Sequence, residues 1–219
     1  MAMRQTARAE QGGVLVATAL PVEKRALVAA LAEEDLKPLV EVIGCGPAAV
    51  EKRLPPLLAR LKPAALFFIG AAGWLGESIQ FEIGSAWLVE DALWRENHPE
   101  DVALEQRGSA LPCSSADGPL LRQAQGITQL PSATCVTVEA PVTDEQTRAQ
   151  LVQAATASLV DMETYFVYRL AAERGISALA VRIVTDFADE RAVTEFETNL
   201  EQAFRRNARA IGKLVSLTP

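Results

Sequence analysis

Short apolar runs alternate with amphipathic stretches along most of this chain. That alternation leaves few folds open, because it is the pattern of strands and helices in a mostly parallel sheet. Val14–Ala19 reads as a first strand and 22–34 as a helix with Ala26, Leu27, Ala30 and Leu31 on one face. Leu39–Ile43 and 48–61 repeat the pair. Ala65–Ile69 is a third strand, ending in a glycine-rich turn from Gly70 to Gly76, and Ser85–Val89 a fourth. Residues 95–130 are polar and rich in Pro, Gly and Ser, and predict loops with one short helix near Pro119–Gln125. Order returns with a strand at 133–138, a helix near 144–155, a short strand at 158–161 and a helix from Glu163 to Arg174 stopped by Gly175. Ala178–Val184 is apolar except for Arg182 and predicts a buried central strand, followed by one long helix over 191–217.

A length of 219 residues suits one α/β domain, and 49% hydrophobic with 22% charged residues supplies a sizeable core. Residues 1–13 are polar and lack the apolar centre of a signal peptide, so a frayed tail is expected before a domain over 14–219. The run Val14–Leu20 is too short to span a bilayer. A net charge of −7 argues against nucleic acid as partner, and Arg205, Arg206 and Arg209 read as a solvated helix face. Cys45, Cys113 and Cys135 are widely spaced, without a CxxC pair, and the single histidine, His98, lies in a polar stretch. Neither a disulfide framework nor a metal site is expected, and the chain suits a reducing, cytoplasmic setting.

Open α/β sheets hold ligands beyond the carboxyl ends of their strands. Glu23, Glu163 and Asp186 all fall at or just past such ends. Acids also favour helix N-termini, so one of them alone would say little. Arg182 is the stronger clue: a guanidinium inside Leu179–Val184 would be buried and needs a partner, with Glu23 and Glu163 the candidates and a purely structural ion pair the alternative.

Val160-Asp161-Met162-Glu163 followed by Ala180-Val181-Arg182-Ile183-Val184-Thr185-Asp186 resembles the C-terminal signature of the nucleoside phosphorylase/nucleosidase superfamily. Ile69–Gly73 is similar to its glycine-rich turn, and Thr18–Glu23 resembles its opening strand and acidic loop. The pattern is nearest to the methylthioadenosine/S-adenosylhomocysteine nucleosidases. The resemblance implies a single-domain, three-layer α/β/α fold around a central mixed, mostly parallel twisted sheet. It also implies hydrolysis of the N-ribosidic bond of a purine nucleoside, with no cofactor, a nucleoside as small-molecule partner, and a homodimer.

Carried over residue by residue, the resemblance makes Asp186 the donor to purine N7 and Glu23 the base that takes a proton from water. Glu163 accepts the ribose hydroxyls, Met162 packs on the sugar, and Arg182 steadies the water and the acid. Ala72, Gly73 and Val142 complete the substrate contacts. An oxocarbenium-like transition state explains the need for carboxyl groups, and a donor Asp186 requires a raised pKa. A carboxylate at Glu23 repels a phosphate dianion, which favours water; Arg25 and Arg53 keep phosphate as the alternative nucleophile.

Three departures from the family pattern bear on activity: Ala71 where a hydroxyl is usual, Pro141 where an aromatic ring usually stacks, and the bulk of Tyr165 and Phe166 after the Met-Glu pair. They motivate two alternatives, a phosphorylase or a relative acting on futalosine or an adenosylated hopanoid, and a catalytically weak nucleoside-binding protein. Gly44-Cys45-Gly46-Pro47-Ala48-Ala49 matches a dinucleotide fingerprint, but the next strand ends without the acid that would bind ribose. It reads as a tight turn.

Overall fold

The computed structural model describes residues 12–76, 83–95 and 111–217. Most of the expected N-terminal tail, and His98, lie outside the described residues. In chain order the elements are β1 (Val14–Thr18), α1 (Pro21–Glu33), β2 (Val40–Val42), α2 (Pro47–Leu61), β3 (Ala65–Trp74), β4 (Ala86–Trp94), β5 (Cys113–Ser115), α3 (Gly118–Thr128), β6 (Ser132–Thr137), α4 (Glu145–Ala154), β7 (Leu159–Asp161), α5 (Thr164–Ala172), β8 (Ser177–Asp186), α6 (Ala192–Arg206) and α7 (Ala208–Val215).

The expected mixed, mostly parallel sheet is present, with helices on both faces. β1 pairs in parallel with β2 and β3, β3 with β8, and β6 with β4 and β7, while β3–β7, β4–β5 and β4–β8 are antiparallel. The ladder also folds back on itself: β3 pairs β8, β8 pairs β4, β4 pairs β6, β6 pairs β7, and β7 returns to β3 at Gly73 and Trp74. That return is possible because β1 pairs β3 only as far as Phe68.

Side-chain alternation explains the layers. On β3, Leu66 and Phe68 enter a core closed by Val50, Leu54 and Leu58 of α2 and Val167 and Ala171 of α5. Ala65, Phe67 and Ile69 enter the opposite core with Leu27 and Leu31 of α1, Leu120 of α3, Phe204 of α6 and Ile211 of α7. A strand feeding two cores is apolar throughout, which is why Ala65–Ile69 reads as a continuous run.

Three boundaries differ from the sequence reading. Gly70–Gly73 is no turn: these residues pair with β8, and the strand continues to Trp74, which pairs with β7. The fourth strand runs on to Trp94, where it gains β5 as a partner. The single long C-terminal helix is two, α6 and α7, parted at Asn207. Its side-chain amide donates to the carbonyls of Ala203 (2.8 Å) and Gly84 (2.7 Å), and so ties the break to the start of β4. The Gly44–Gly46 turn is as expected, with φ of +93° and +80° at its two glycines.

Candidate active site

A cavity of about 230 Å³ opens beyond the carboxyl ends of β1, β3, β7 and β8. Its wall includes four carboxyl groups, Glu23, Asp161, Glu163 and Asp186. Ala71, Ala72 and Gly73 of β3 form one side, and Cys45, Met162, Val138, Pro141, Val142 and Phe196 complete much of the rest. No Lys, Arg or His lines it among the described residues.

Glu23 is the third residue of α1, which starts at Pro21 directly after β1. The short β1 leaves the next stretch of β3 without a partner on that side, and Glu23 fills the gap. Its Oε1 accepts from the Ala71 N–H and its Oε2 from the Leu20 N–H, both at 2.8 Å. Burial raises the Glu23 pKa, against the lowering pull of the Ala71 N–H, the Arg182 charge and the Leu20 N–H.

Arg182 is fully buried on β8, directly opposite Gly70 of β3, with its guanidinium 4.1 Å from the Phe68 ring centroid. Its nearest ion-pair partner is Asp161, at 2.5 Å, with Glu163 at 3.4 Å. Nε donates to Thr164 Oγ1 (3.0 Å), while Nη1 has no hydrogen-bond partner among the described residues. A Cβ at Gly70 would sit 2.4 Å from that Nη1 and 2.8 Å from Glu23 Oε1. Glycine is required here so that a guanidinium and a carboxylate can close over the backbone.

Glu163 follows β7 and stands at the N-cap position of α5, its side chain turned to other partners. The Gly46 N–H donates to its Oε1 at 3.0 Å, so the tight turn before α2 holds this carboxyl. Burial is the main cause of a pKa pushed up to about 7; the Arg182 charge opposes it, and Asp161 and Glu23 add to it. Beside it, partial burial and the Glu163 charge push the Cys45 thiol up to about 12, and its S–H lies 3.7 Å from Met162 Sδ.

Asp186 ends β8 on the far wall. A register irregularity after Ala72 sets Gly73 opposite Asp186, leaving Thr185 as the extra residue. Thr185 Oγ1 donates to Oδ2 at 2.8 Å and the Ala188 N–H to Oδ1 at 3.0 Å. A Cβ at Gly73 would meet Oδ1 at 2.8 Å. Burial raises the Asp186 pKa; the Thr185 and Ala188 hydrogen bonds oppose that, and Glu195 and Asp189 add to it.

The structure thus brings Glu23, Ala72, Gly73, Val142, Met162, Glu163 and Asp186 to one cavity, and sets Arg182 behind its wall. Tyr165 and Phe166 do not plug it. They pack with Trp94, at ring-centroid distances of 6.2 and 4.7 Å. Arg25 and Arg53 are exposed and not part of the lining. Sequence reasoning gives no site role to Asp161, Cys45 or Phe196. Phe196 was detectable, standing four residues before Leu200 on the same helical stripe. Asp161 was hidden as the end of a strand.

Such a site can hold a neutral ligand between two proton-transferring carboxyls. No group of His, Cys, Asp and Glu among the described residues is arranged to hold a metal ion. No helix there is long and apolar enough to cross a membrane.

The fold has close counterparts among solved structures. A futalosine hydrolase mutant of Helicobacter pylori matches with a TM-score of 0.77 at 17% identity, covering 93% of this chain and 98% of that one. The 5′-methylthioadenosine/S-adenosylhomocysteine nucleosidase of Neisseria meningitidis, in complex with methylthio-immucillin-A, gives 0.75 at 18% identity, covering 93% and 98%. That of Streptococcus pneumoniae, in complex with 8-aminoadenine, gives 0.75 at 19%, with the same coverage. No curated protein matches the sequence. The model of the phosphorylase superfamily matches residues 20–216, and with the fold and the motifs in place the chain belongs to that superfamily.

Proposed function

We propose that this protein hydrolyses the N-ribosidic bond of a purine nucleoside, an adenosine-type thionucleoside or a related modified nucleoside, releasing the free base. The observation that carries the reading is the pairing of Glu23 and Asp186 across one cavity that holds four carboxyl groups and no lining cation among the described residues. A phosphate dianion would find like charges and no cationic clamp there, whereas water needs only a base.

Asp186, whose pKa burial raises, donates to N7 of the departing purine. Glu23, held by two backbone N–H groups, takes the proton of the attacking water. Glu163 accepts the ribose hydroxyls and Met162 packs against the sugar. The free Nη1 of Arg182 reaches past Gly70 to steady Glu23 and the water. Structures sharing this fold include a futalosine hydrolase and methylthioadenosine/S-adenosylhomocysteine nucleosidases with nucleoside analogues bound, which supports a nucleoside ligand. The acting unit is residues 14–219, working as a cytoplasmic homodimer.

The test is incubation with a panel of purine nucleosides, with and without phosphate, followed by chromatography for free base and sugar. Free base with free sugar, independent of phosphate, is the expected result. Strict phosphate dependence with a sugar phosphate product would make the chain a phosphorylase. Binding of a nucleoside without release of base from any member would make it a binding protein.

A further inference from the structure

Asp161 has no role in the reaction as set out above, yet its carboxylate meets more donors than Glu23, Glu163 or Asp186. It is 1% exposed. Oδ1 accepts from Thr137 Oγ1 (2.7 Å) and from the Glu163 N–H (3.3 Å). Oδ2 accepts from the Thr164 N–H (3.1 Å) and the Thr164 hydroxyl, and pairs with Arg182 Nη2 at 2.5 Å. Thr164 Oγ1 in turn accepts from Arg182 Nε, so Asp161 and Thr164 grip the guanidinium together.

One buried cation therefore faces two adjacent carboxylates, and the distances show which holds it more closely: 2.5 Å to Asp161 against 3.4 Å to Glu163. We infer that Asp161 is a positioning residue for the proposed reaction: it claims Arg182 and fixes the Glu163 backbone, leaving the Glu163 carboxyl available to a ligand instead of locked to the guanidinium. The inference rests on the nucleoside reading of the cavity.

The charged and titratable groups facing Glu163 are Arg182 from β8, Asp161 from β7, Glu23 from α1 and the Cys45 thiol from the turn before α2. Burial and the Asp161 charge push the Glu163 carboxyl towards its neutral form, while Arg182 draws it back. Neutralising Asp161 removes a like charge and frees the cation for Glu163. Both changes favour the ionised Glu163 and move its titration to lower pH.

The experiment measures binding of formycin A, a C-nucleoside whose carbon–carbon glycosidic link cannot be hydrolysed. Wild type and Asp161→Asn are compared by calorimetry between about pH 5 and pH 9. Wild-type affinity should weaken as pH falls through about 7. In Asp161→Asn that midpoint should move down by about one pH unit or more. Asp186 titrates in both proteins and so cancels in the difference between them, which reads the carboxyls that share Arg182, with Glu163 the nearer to it. A folded variant with an unchanged midpoint overturns the inference. If Asp161→Asn does not fold, the isosteric Thr164→Val, which removes the hydroxyl bracing both partners, must shift the midpoint the same way; an unchanged midpoint there overturns it equally. Turnover is not read, so protein that binds formycin A but releases no base sinks only the hydrolase reading. Failure to bind formycin A at any pH overturns this one.

Discussion

The Ala71 N–H donates to Oε1 of Glu23 at 2.8 Å, joining the middle of β3 to the first turn of α1. With the Leu20 N–H on the other oxygen, the carboxylate is held at both ends by donors that cannot rotate away. Glu23→Gln keeps the shape, but its NH₂ must face one of those N–H groups. We expect base release to fall by at least about 100-fold, the scale of a lost general base. A stability loss of about 1–3 kcal/mol should accompany it, from one buried donor left without an acceptor. Assay of free base and thermal melting read the two effects, and near wild-type turnover would remove Glu23 from the mechanism.

Asp186→Asn has a different signature. The Thr185 hydroxyl and the Ala188 N–H can both still be satisfied by an amide oxygen after a small rearrangement, so the melting temperature should barely move. Turnover should fall by at least about 100-fold, because the proton is gone. In the wild type, burial raises the Asp186 pKa, so the donor is present below that raised value and lost as pH rises through it. A pH–rate profile should show this alkaline fall in the wild type. Full activity in the variant would show that another group donates.

The parts of this fold and site that the sequence disclosed, and those it hid, divide on physical grounds. Period and run length located β1, α1, α2, β6, β7, α5 and β8, because each of these elements buries a face that its apolar residues announce. Gly70 and Gly73 misled for the opposite reason. Glycine ordinarily marks a turn, yet here both stand in a strand so that Arg182, Glu23 and Asp186 can approach the backbone. Asn207 looked like one more polar residue on a helix, since only its tertiary partner, the Gly84 carbonyl, reveals the break. Arg182 declared that it must have an anion. Which anion depended on how β7 and β8 both pair with β3, a relation no local pattern encodes.

Gly70→Ala tests that account of the glycines. Its methyl would lie 2.4 Å from Arg182 Nη1 and 2.8 Å from Glu23 Oε1. Neither group can retreat without losing a buried partner, so an overpacking loss of about 1–3 kcal/mol is expected. Base release should drop by at least about tenfold as Glu23 is displaced. Gly126→Ala is the control: nothing lies within 4 Å of its added carbon, and inside α3 it should be neutral or stabilising by up to about 1 kcal/mol. Equal behaviour of the two variants would show that Gly70 has no special duty.

Glu163 should leave a mark on stability as well as on binding. Its pKa of about 7 in the folded chain exceeds the ordinary 4.5, so the unfolded chain gives up this proton first. The stability that Glu163 contributes is therefore complete below about pH 4.5 and fades as pH rises to about 7. Thermal melting of wild type and Glu163→Gln across that window should show the wild type losing ground with rising pH. The slope is at most about 1.4 kcal/mol per pH unit for one group. A difference that stayed flat, or moved the other way, would mean that Glu163 is ionised throughout.

Tyr168 offers a change that should touch stability alone. Its hydroxyl donates to the Val89 carbonyl at 2.5 Å and accepts from the Ala180 N–H at 2.8 Å, so it stands in for a ladder bond where β4 meets β8. Tyr168→Phe keeps the ring, which is 1% exposed in the core between α5 and the sheet, and leaves two buried backbone groups unpaired. The expected loss is about 1–3 kcal/mol, since an orphaned donor or acceptor costs more than an average hydrogen bond contributes. Tyr168 does not line the cavity, so kcat and KM should stay within about twofold of wild type. Chemical denaturation gives the first quantity and steady-state base release the second. A fall in kcat without a fall in stability would mean that the β4–β8 junction transmits to the site, contrary to the purely structural part given to it here.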